Sequence, residues 1–182
     1  MACGAQSLER KSKTNSKQID NKEQFNAYWN QGKAELNRYE LTQARYGELR
    51  QGDAIMVFVT EDFLVDKQVK KESNTSKNAT PILKLNYITK FNTSIYDYSL
   101  MSSIFTPING TNPLKISTSS QEWCGHTWLQ INNRNGVYTI SGSSYFEQEA
   151  DREFELEEKR TEDGLWNLIR LNPNEIDTGT WY

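Results

Sequence analysis

Glu122, Cys124 and His126 are the residues of this chain whose types and spacing suggest a reaction. Alternate residues of a β-strand point to the same face, so a strand here would bring the three side chains together. An imidazolium next to a thiol favours the nucleophilic thiolate, and a carboxylate can orient the imidazole ring. This spacing predicts a thiol-dependent hydrolase or transferase.

A second interpretation of the same segment is structural, and we favour it. Trp123 and Cys124 would then be packed in the core beside a bulge at Gly125, and Cys124 would react slowly with alkylating agents. A nucleophile and its base usually come from distant segments of a chain, and no oxyanion-hole loop is recognisable. We therefore expect no catalysis, although the sequence leaves the enzyme alternative open.

Metal and cofactor sites are not indicated. The chain has one His and two Cys, and its carboxylates show no paired ligand spacing of the kind that Zn²⁺ sites use. A carboxylate-rich stretch over 147–158 lacks the spacing and the glycine hinge of a Ca²⁺-binding loop. We predict neither a metal nor a cofactor.

More residues of this chain suggest ligand binding than suggest catalysis. Aromatic side chains alternate with Asn, Gln and Ser along several segments, and such surfaces hold sugars by stacking or hold lipid chains. The ligand-binding candidates are Trp123, Trp128, Tyr96, Tyr98 and Gln121. The expected ligand is hydrophobic or a glycan, and a protein partner of the cell envelope is the third possibility.

The composition sets limits on these functions. The 182 residues fit one domain with a real core, and 12% aromatic residues argue against disorder. The net charge is −3, with acidic and basic residues mixed, so no basic stripe points to nucleic acid. No apolar run reaches membrane-spanning length.

The N-terminal residues 1–19 are a polar tether rich in Lys, Ser and Asn. Cys3 follows a small residue and precedes Gly4, as does the lipid-modified Cys at the end of a bacterial lipobox. We expect Cys3 to carry a lipid that anchors the protein in a membrane. The apolar signal region would then lie upstream of this chain and be cut off during secretion.

The elements that position these residues are mostly strands. Asp20 to Gly32 reads as a short helix with an Asp20 cap and a Glu23 capping box. Alternating and β-branched segments then predict strands over 36–46, 54–60, 82–91, 95–105, 114–120, 127–132 and 137–146. Loops are predicted over 47–53 and 66–80, and Asn135-Gly136 predicts a tight hairpin.

The last part of the chain predicts one more strand and a helix. Phe154 and Leu156 alternate with carboxylates, which is typical of an edge strand with one solvent-exposed face. Asp163 is the expected cap of a short helix that ends before Pro173. The fold class is therefore mainly β: a curved antiparallel sheet or part-closed barrel, lipocalin-like or lipid-carrier-like, with one short helix near each end. Residues 20–182 form a single β-rich domain in this interpretation.

Several runs resemble an uncharacterised family of Bacteroidota lipoproteins. They are Tyr28–Leu36, Gln43–Gly47, Val59–Phe63 and Ser119–Gly125. Some members are labelled septum formation inhibitors of the Maf type. Maf proteins are pyrophosphatases with an N-terminal Ser-Pro-Arg-Arg signature, which this chain lacks, so that activity is not expected here.

This resemblance implies a place in the cell rather than a reaction. It implies a secreted, lipid-anchored protein of the cell envelope, most simply an outer-membrane lipoprotein facing the periplasm. It supplies no catalytic residues. Its members continue past the run Thr178-Gly179-Thr180, so this chain is expected to be shorter than they are at its C terminus.

Overall fold

The structure of the protein is a computed structural model that describes residues 23–176 and 179. The chain divides into two compact units, Met1–Lys33 and Ala34–Tyr182, and each is described here by itself. In the first unit, residues 23–29 form helix α1. Its Trp29 ring lies 5.0 Å from that of Tyr28 and 6.1 Å from that of Phe25, which is the aromatic face that their spacing predicts. The proposed cap Asp20 lies outside the described residues.

The second unit is built from nine strands and two short C-terminal helices. The strands are β1 (Glu35–Arg45), β2 (Glu48–Leu64), β3 (Val69–Lys70), β4 (Ala79–Asn92), β5 (Asp97–Pro107), β6 (Lys115–Glu122), β7 (Gly125–Arg134), β8 (Val137–Ser144) and β9 (Arg152–Glu157). Helix α2 (Leu165–Leu171) follows β9, and a 3₁₀ turn covers Pro173–Glu175. No helix in the described part of the chain is long and apolar enough to cross a membrane.

The strands form one open antiparallel sheet. Their spatial order is β1-β2-β4-β5-β6-β7-β8-β9, and the two-residue β3 pairs with β2 beside this path. Each main strand lies next to its neighbour in sequence, so the chain forms a meander with edges at β1 and β9. The predicted fold class is confirmed: a mainly β protein with an antiparallel sheet that does not close and one short helix near each end.

Period-two alternation gives the sheet an inner and an outer face. The strand pairs are in unbroken register, so apolar residues of the inner face lie opposite one another in pairs such as Phe58–Leu85, Leu85–Ile104 and Ile131–Ile140. The inner face contains most of the core. Its buried side chains include Met56, Phe58, Leu83, Leu85, Ile104, Ile116, Tyr138 and Ile140. The outer face carries polar pairs such as Glu61–Lys84 and Asn86–Ser103.

Two of the two-residue hairpin turns have positive φ at both turn residues. Asn135 and Gly136 have φ values of 56° and 81°, as predicted from the Asn-Gly pair. Tyr46 and Gly47, with φ values of 56° and 75°, make an equally tight turn between β1 and β2. The predicted loop over 47–53 is therefore wrong. The positive φ that Tyr46 accepts lets β2 begin at Glu48, which makes it the longest strand.

Helix α2 lies on the inner face over β4 and β5. Its Asn167 side chain is fully buried and donates to the backbone oxygens of Leu83 and Ile104. The helix cap is Gly164 and no side chain caps it, so the prediction of an Asp163 cap is wrong. The Thr161 hydroxyl instead accepts a bond from the Gly164 nitrogen at 3.2 Å.

Candidate functional site

The segment with Glu122, Cys124 and His126 is a hairpin rather than a continuous strand. Trp123 and Cys124 form the two-residue turn between β6 and β7, and Glu122 pairs with Gly125 across it. His126 pairs with Gln121 one step further along. Because Glu122 and Gln121 are consecutive residues, Glu122 lies on the inner face and His126 on the outer face. The expectation that the three side chains share a face is wrong.

Cys124 is also not the buried packing residue that the second interpretation predicts. The thiol is free and exposed, and the Trp123 side chain is 74% exposed. The physical reason is the position of both residues at the tip of a turn, where no neighbouring strand covers them. The shared face of Glu122, Cys124 and His126 and the burial of Cys124 are thus both corrected.

A cluster of phenols lies at the same end of the sheet. The hydroxyl oxygens of Tyr46 and Tyr98 are 2.7 Å apart, and Arg45 Nη2 donates to the Tyr98 oxygen at 3.3 Å. The Arg45 guanidinium also lies over both rings, 4.8 Å from the centroid of Tyr46 and 5.1 Å from that of Tyr98. Tyr98 is buried and stacks on Phe91 at 4.8 Å.

Hydrogen bonding and burial shift the pKa values of the three phenols in different directions. The hydrogen bond from Tyr98 lowers the pKa of Tyr46, with smaller contributions from Tyr96 and Arg45. Burial and the nearby Glu122 carboxylate raise the pKa of Tyr98. The hydrogen bond to Tyr46 raises the pKa of Tyr96, and the Cys124 thiol adds to the effect. The cluster therefore combines one phenol of lowered pKa with two of raised pKa.

Only some of the ligand-binding candidates come together. The Tyr96 ring lies 6.0 Å from that of Tyr98 and 6.4 Å from that of Trp123, so these three form one group. Gln121 and Trp128 lie on the outer face, where Trp128 pairs with Ser119 and Ser143. The predicted set is therefore divided between the turn end and the outer face.

The inner face of β7, β8 and β9 carries an apolar groove that the sequence reasoning did not identify. A cavity of about 510 Å³ lies there. Its apolar lining comes from Leu129, Ile131, Tyr138, Ile140, Phe154 and Leu156. Strand pairing brings these residues together, because Ile131 lies opposite Ile140 and Ile140 lies opposite Phe154.

A second cavity extends the groove along the strands. It has a volume of about 330 Å³ and shares Leu129, Ile140 and Phe154 with the first. Its other lining residues include Thr127, Ser144 and Ala150, which lie toward the β6–β7 turn and the β8–β9 loop. The two cavities therefore lie next to each other along the strands, with the second nearer the turn end.

The groove is open because α2 covers a different part of the inner face. Asn167 of α2 bonds to β4 and β5, and Trp166 lies 6.5 Å from the Tyr87 ring of β4. Phe154 and Leu156 are consequently each 47% exposed, although they point to the same face as the core. Their alternation with carboxylates is the sequence signal that could have identified this surface.

The described residues hold no group of three or more His, Cys, Asp or Glu side chains that could bind a metal ion. Cys3, the predicted lipid attachment site, lies outside the described residues. Comparisons with protein-family models, with curated proteins and with solved structures find no match for this chain.

Proposed function

We propose that this protein binds a hydrophobic ligand with an elongated acyl chain and that it acts without catalysis. The observation that carries the proposal is the apolar groove on the inner face of β7–β9. In a soluble fold, half-exposed Phe and Leu side chains next to the core are costly unless something covers them. A lipid chain would bury them without requiring any new hydrogen bond.

The size and lining of the groove support this class of ligand. Its two cavities, about 510 and 330 Å³, lie within the range of small-molecule sites, which is roughly 300–1,000 Å³. Leu, Ile and Phe side chains provide much of the apolar surface, and Glu155, Glu157 and Lys159 also line the larger cavity. A glycan site would instead need aromatic faces with polar groups placed around them. The aromatic group at the turn end therefore contributes less to this proposal than the groove does.

The arrangement of the thiol segment does not favour the enzyme alternative. In the proposed mechanism Glu122 would orient the His126 ring, yet these two residues lie on opposite faces of the sheet. Binding remains the function that more of the geometry supports.

A displacement assay with a fluorescent fatty acid tests the proposal. We expect saturable binding that Leu129→Glu and Phe154→Glu each weaken at least about tenfold, because a buried carboxylate would replace apolar contact. Leu36→Glu is the matched control: Leu36 is 69% exposed and lies on the outer face of β1. Equal binding by all three variants, or none by the parent chain, would overturn the proposal.

We also propose that the protein is anchored in the cell envelope through a lipid on Cys3. This part rests on the small residue before Cys3, on the polar tether and on the family resemblance. A precursor with its signal region should incorporate labelled fatty acid in its host, and Cys3→Ser should abolish incorporation and release the protein from the membrane fraction. Membrane association that is unchanged in Cys3→Ser would contradict the anchor and leave the groove proposal untouched.

A further inference from the structure

The turns at one end of the sheet expose large apolar side chains. This turn end consists of turns 46–47, 93–96 and 123–124 and the loop 145–151. Each contributes a strongly exposed residue at or beside its tip. These are Tyr46 (61% exposed), Leu49 (72%), Ile95 (75%), Trp123 (74%) and Tyr145 (76%).

The opposite end of the sheet has a different character. Its connection 65–78 is rich in Lys, Ser and Asn, and the exposed apolar residues in or beside its turns are valines, with Leu156 of β9 also 47% exposed at this end. Val65, Val69 and Val137 are 37%, 45% and 36% exposed. Scattered single apolar residues are ordinary on protein surfaces, but five large ones at one end are not.

We propose that the turn end inserts into the headgroup region of a lipid bilayer. Trp and Tyr prefer this region because their rings are apolar while their N–H and O–H groups remain hydrated. The turns also carry backbone groups without strand partners, and these can be hydrated among headgroups but not in hydrocarbon. Insertion would therefore be shallow and limited to the side chains at the tips.

Charge supports a bilayer as the partner. Arg45 lies at this end and has no carboxylate partner among the ion pairs of the described residues, so its charge is free to meet a lipid phosphate. Its contacts with Tyr46 and Tyr98 fix the guanidinium in place. Arg50 at the same end is already paired with Glu48 at 2.6 Å. Arg152 at this end likewise has no carboxylate partner among those ion pairs, and the loop 145–151 carries the exposed carboxylates of Glu147, Glu149 and Asp151. This mixture of both charges fits a zwitterionic headgroup, and no cationic cluster indicates a need for anionic lipid.

The tips themselves are held by packing rather than left loose. Tyr145 lies so close to Gly125 that a Cβ there would come within 2.7 Å of its ring. Tyr96 contacts Trp123, and the Arg50 guanidinium donates to Ser94 at 3.2 Å. The apolar groups are thus presented together in a defined arrangement, which lowers the entropy lost on insertion.

Vesicle flotation with the full 182-residue chain, expressed without lipid, tests the inference. We expect binding to phosphatidylcholine vesicles that changes little when phosphatidylglycerol is added. A tip variant with Leu49→Ser, Ile95→Ser, Trp123→Ser and Tyr145→Ser should bind at least about tenfold more weakly, because it removes four exposed apolar groups that insertion would bury in the bilayer. A matched variant with Val69→Ser and Val137→Ser at the opposite end should bind like the parent chain.

A second variant separates insertion from a loss of folding. Trp123→Phe keeps an apolar ring at the tip, so vesicle binding should remain while quenching of tryptophan fluorescence by brominated phosphatidylcholine falls. Quenching that does not change in Trp123→Phe, or a tip variant that floats like the parent, would overturn the inference. The inference would also be overturned if the parent chain self-associates without binding vesicles while the tip variant is monomeric. The partner of the turn end would then be a second copy of the chain.

Two variants separate vesicle binding by the turn end from fatty-acid binding by the groove, so either proposal can fail without the other. Phe154→Glu changes the groove and leaves the tips intact, so it should lose fatty acid and keep phosphatidylcholine vesicles. The tip variant should show the reverse pattern. Loss of vesicle binding in Phe154→Glu would assign the membrane contact to the groove and overturn the role of the turn end.

Discussion

Asn167 donates a hydrogen bond from Nδ2 to Thr106 Oγ1 over 2.9 Å, and neither side chain is exposed to solvent. The same amide nitrogen also lies within bonding distance of the backbone oxygens of Leu83 and Ile104. Two amide hydrogens thus face three acceptors. This contact joins α2 to the two strands at the centre of the core.

Asn167→Leu should lower the free energy of unfolding by about 1–3 kcal/mol, because Thr106 is left buried without its donor. Adding Thr106→Val should recover part of this loss, since both polar partners are then gone. Urea unfolding measures both variants. Ile169→Ala on the exposed side of the same helix is the control and should change stability by no more than about 0.5 kcal/mol. A double variant that is less stable than Asn167→Leu alone would contradict this account.

The Arg170–Glu35 ion pair should contribute more to stability than an exposed pair of the same geometry. Nε and Nη2 of Arg170 both donate to one Glu35 oxygen, at 2.9 and 2.8 Å, and its guanidinium lies 3.5 Å from the centroid of the Phe58 ring. We expect a double-mutant coupling energy of about 1–2 kcal/mol, because the side chains are only 18% and 19% exposed.

Arg38 and Asp53 provide the matched control for that measurement. Nε and Nη2 of Arg38 likewise share one Asp53 oxygen, at 2.9 and 2.7 Å, but the side chains are 71% and 45% exposed. Solvent screening should reduce their coupling to below about 0.5 kcal/mol. Equal coupling energies for the two pairs would mean that burial does not decide the strength of this contact.

Tyr138 should make the domain sensitive to alkaline pH. Its hydroxyl donates to the Lys159 oxygen at 2.9 Å, and burial raises its pKa, with a smaller effect from Glu158. A raised pKa in the folded state gives stability that is complete below the unfolded value of about 10. As pH rises beyond that value, the unfolded state loses its proton first, so the free energy of unfolding falls.

Tyr138→Phe should remove this part of the pH dependence. At neutral pH the variant should be less stable by about 1 kcal/mol, because the bond to Lys159 is lost. Above pH 10 its disadvantage should shrink by up to about 1.4 kcal/mol per pH unit. Urea unfolding between pH 7 and 11.5 measures both. A constant difference between the two proteins across this range would rule out the titration of Tyr138.

Cys124 should be alkylated rapidly in the native protein. Its side chain is exposed at a turn tip, so folding gives it no steric protection. We expect the rate with a neutral maleimide in native buffer to be within about fivefold of the rate in denaturant, by the accessibility argument for exposed thiols. The measurement uses a Cys3→Ser background, in which Cys124 is the one remaining thiol. Protection by more than a hundredfold would mean that the turn is covered in solution.

The strand pattern was predictable because it rests on local alternation. The segment 82–91 places Leu83, Leu85 and Phe91 on one face, and β4 buries these residues on the inner face. The Asn135-Gly136 turn was predictable for an equally local reason, since both residues accept positive φ. Nearest-neighbour pairing of such strands then gives an antiparallel meander without any further information.

The thiol segment was not predictable by the same reasoning, because alternation fails wherever a strand turns. Positions 122, 124 and 126 share a face only if the chain continues straight, and the turn at Trp123-Cys124 breaks that condition. Gly125 was the available signal, but a bulge and a hairpin both use glycine. The cap of α2 was missed for a related reason. In the folded chain the cap residue is Gly164, whose nitrogen donates to the Thr161 hydroxyl, so Asp163 does not occupy the cap position.

By itself the sequence determined the strands, their faces and the mainly β class, because these follow from side-chain period and turn chemistry within a few residues. Only the tertiary structure decided which apolar faces would be covered. Asn167 fixes α2 over β4 and β5, so Leu129, Phe154 and Leu156 remain open on the far side of the same face. The position of α2 depends on contacts between residues distant in sequence, such as Asn167 and Leu83, and no local pattern encodes it.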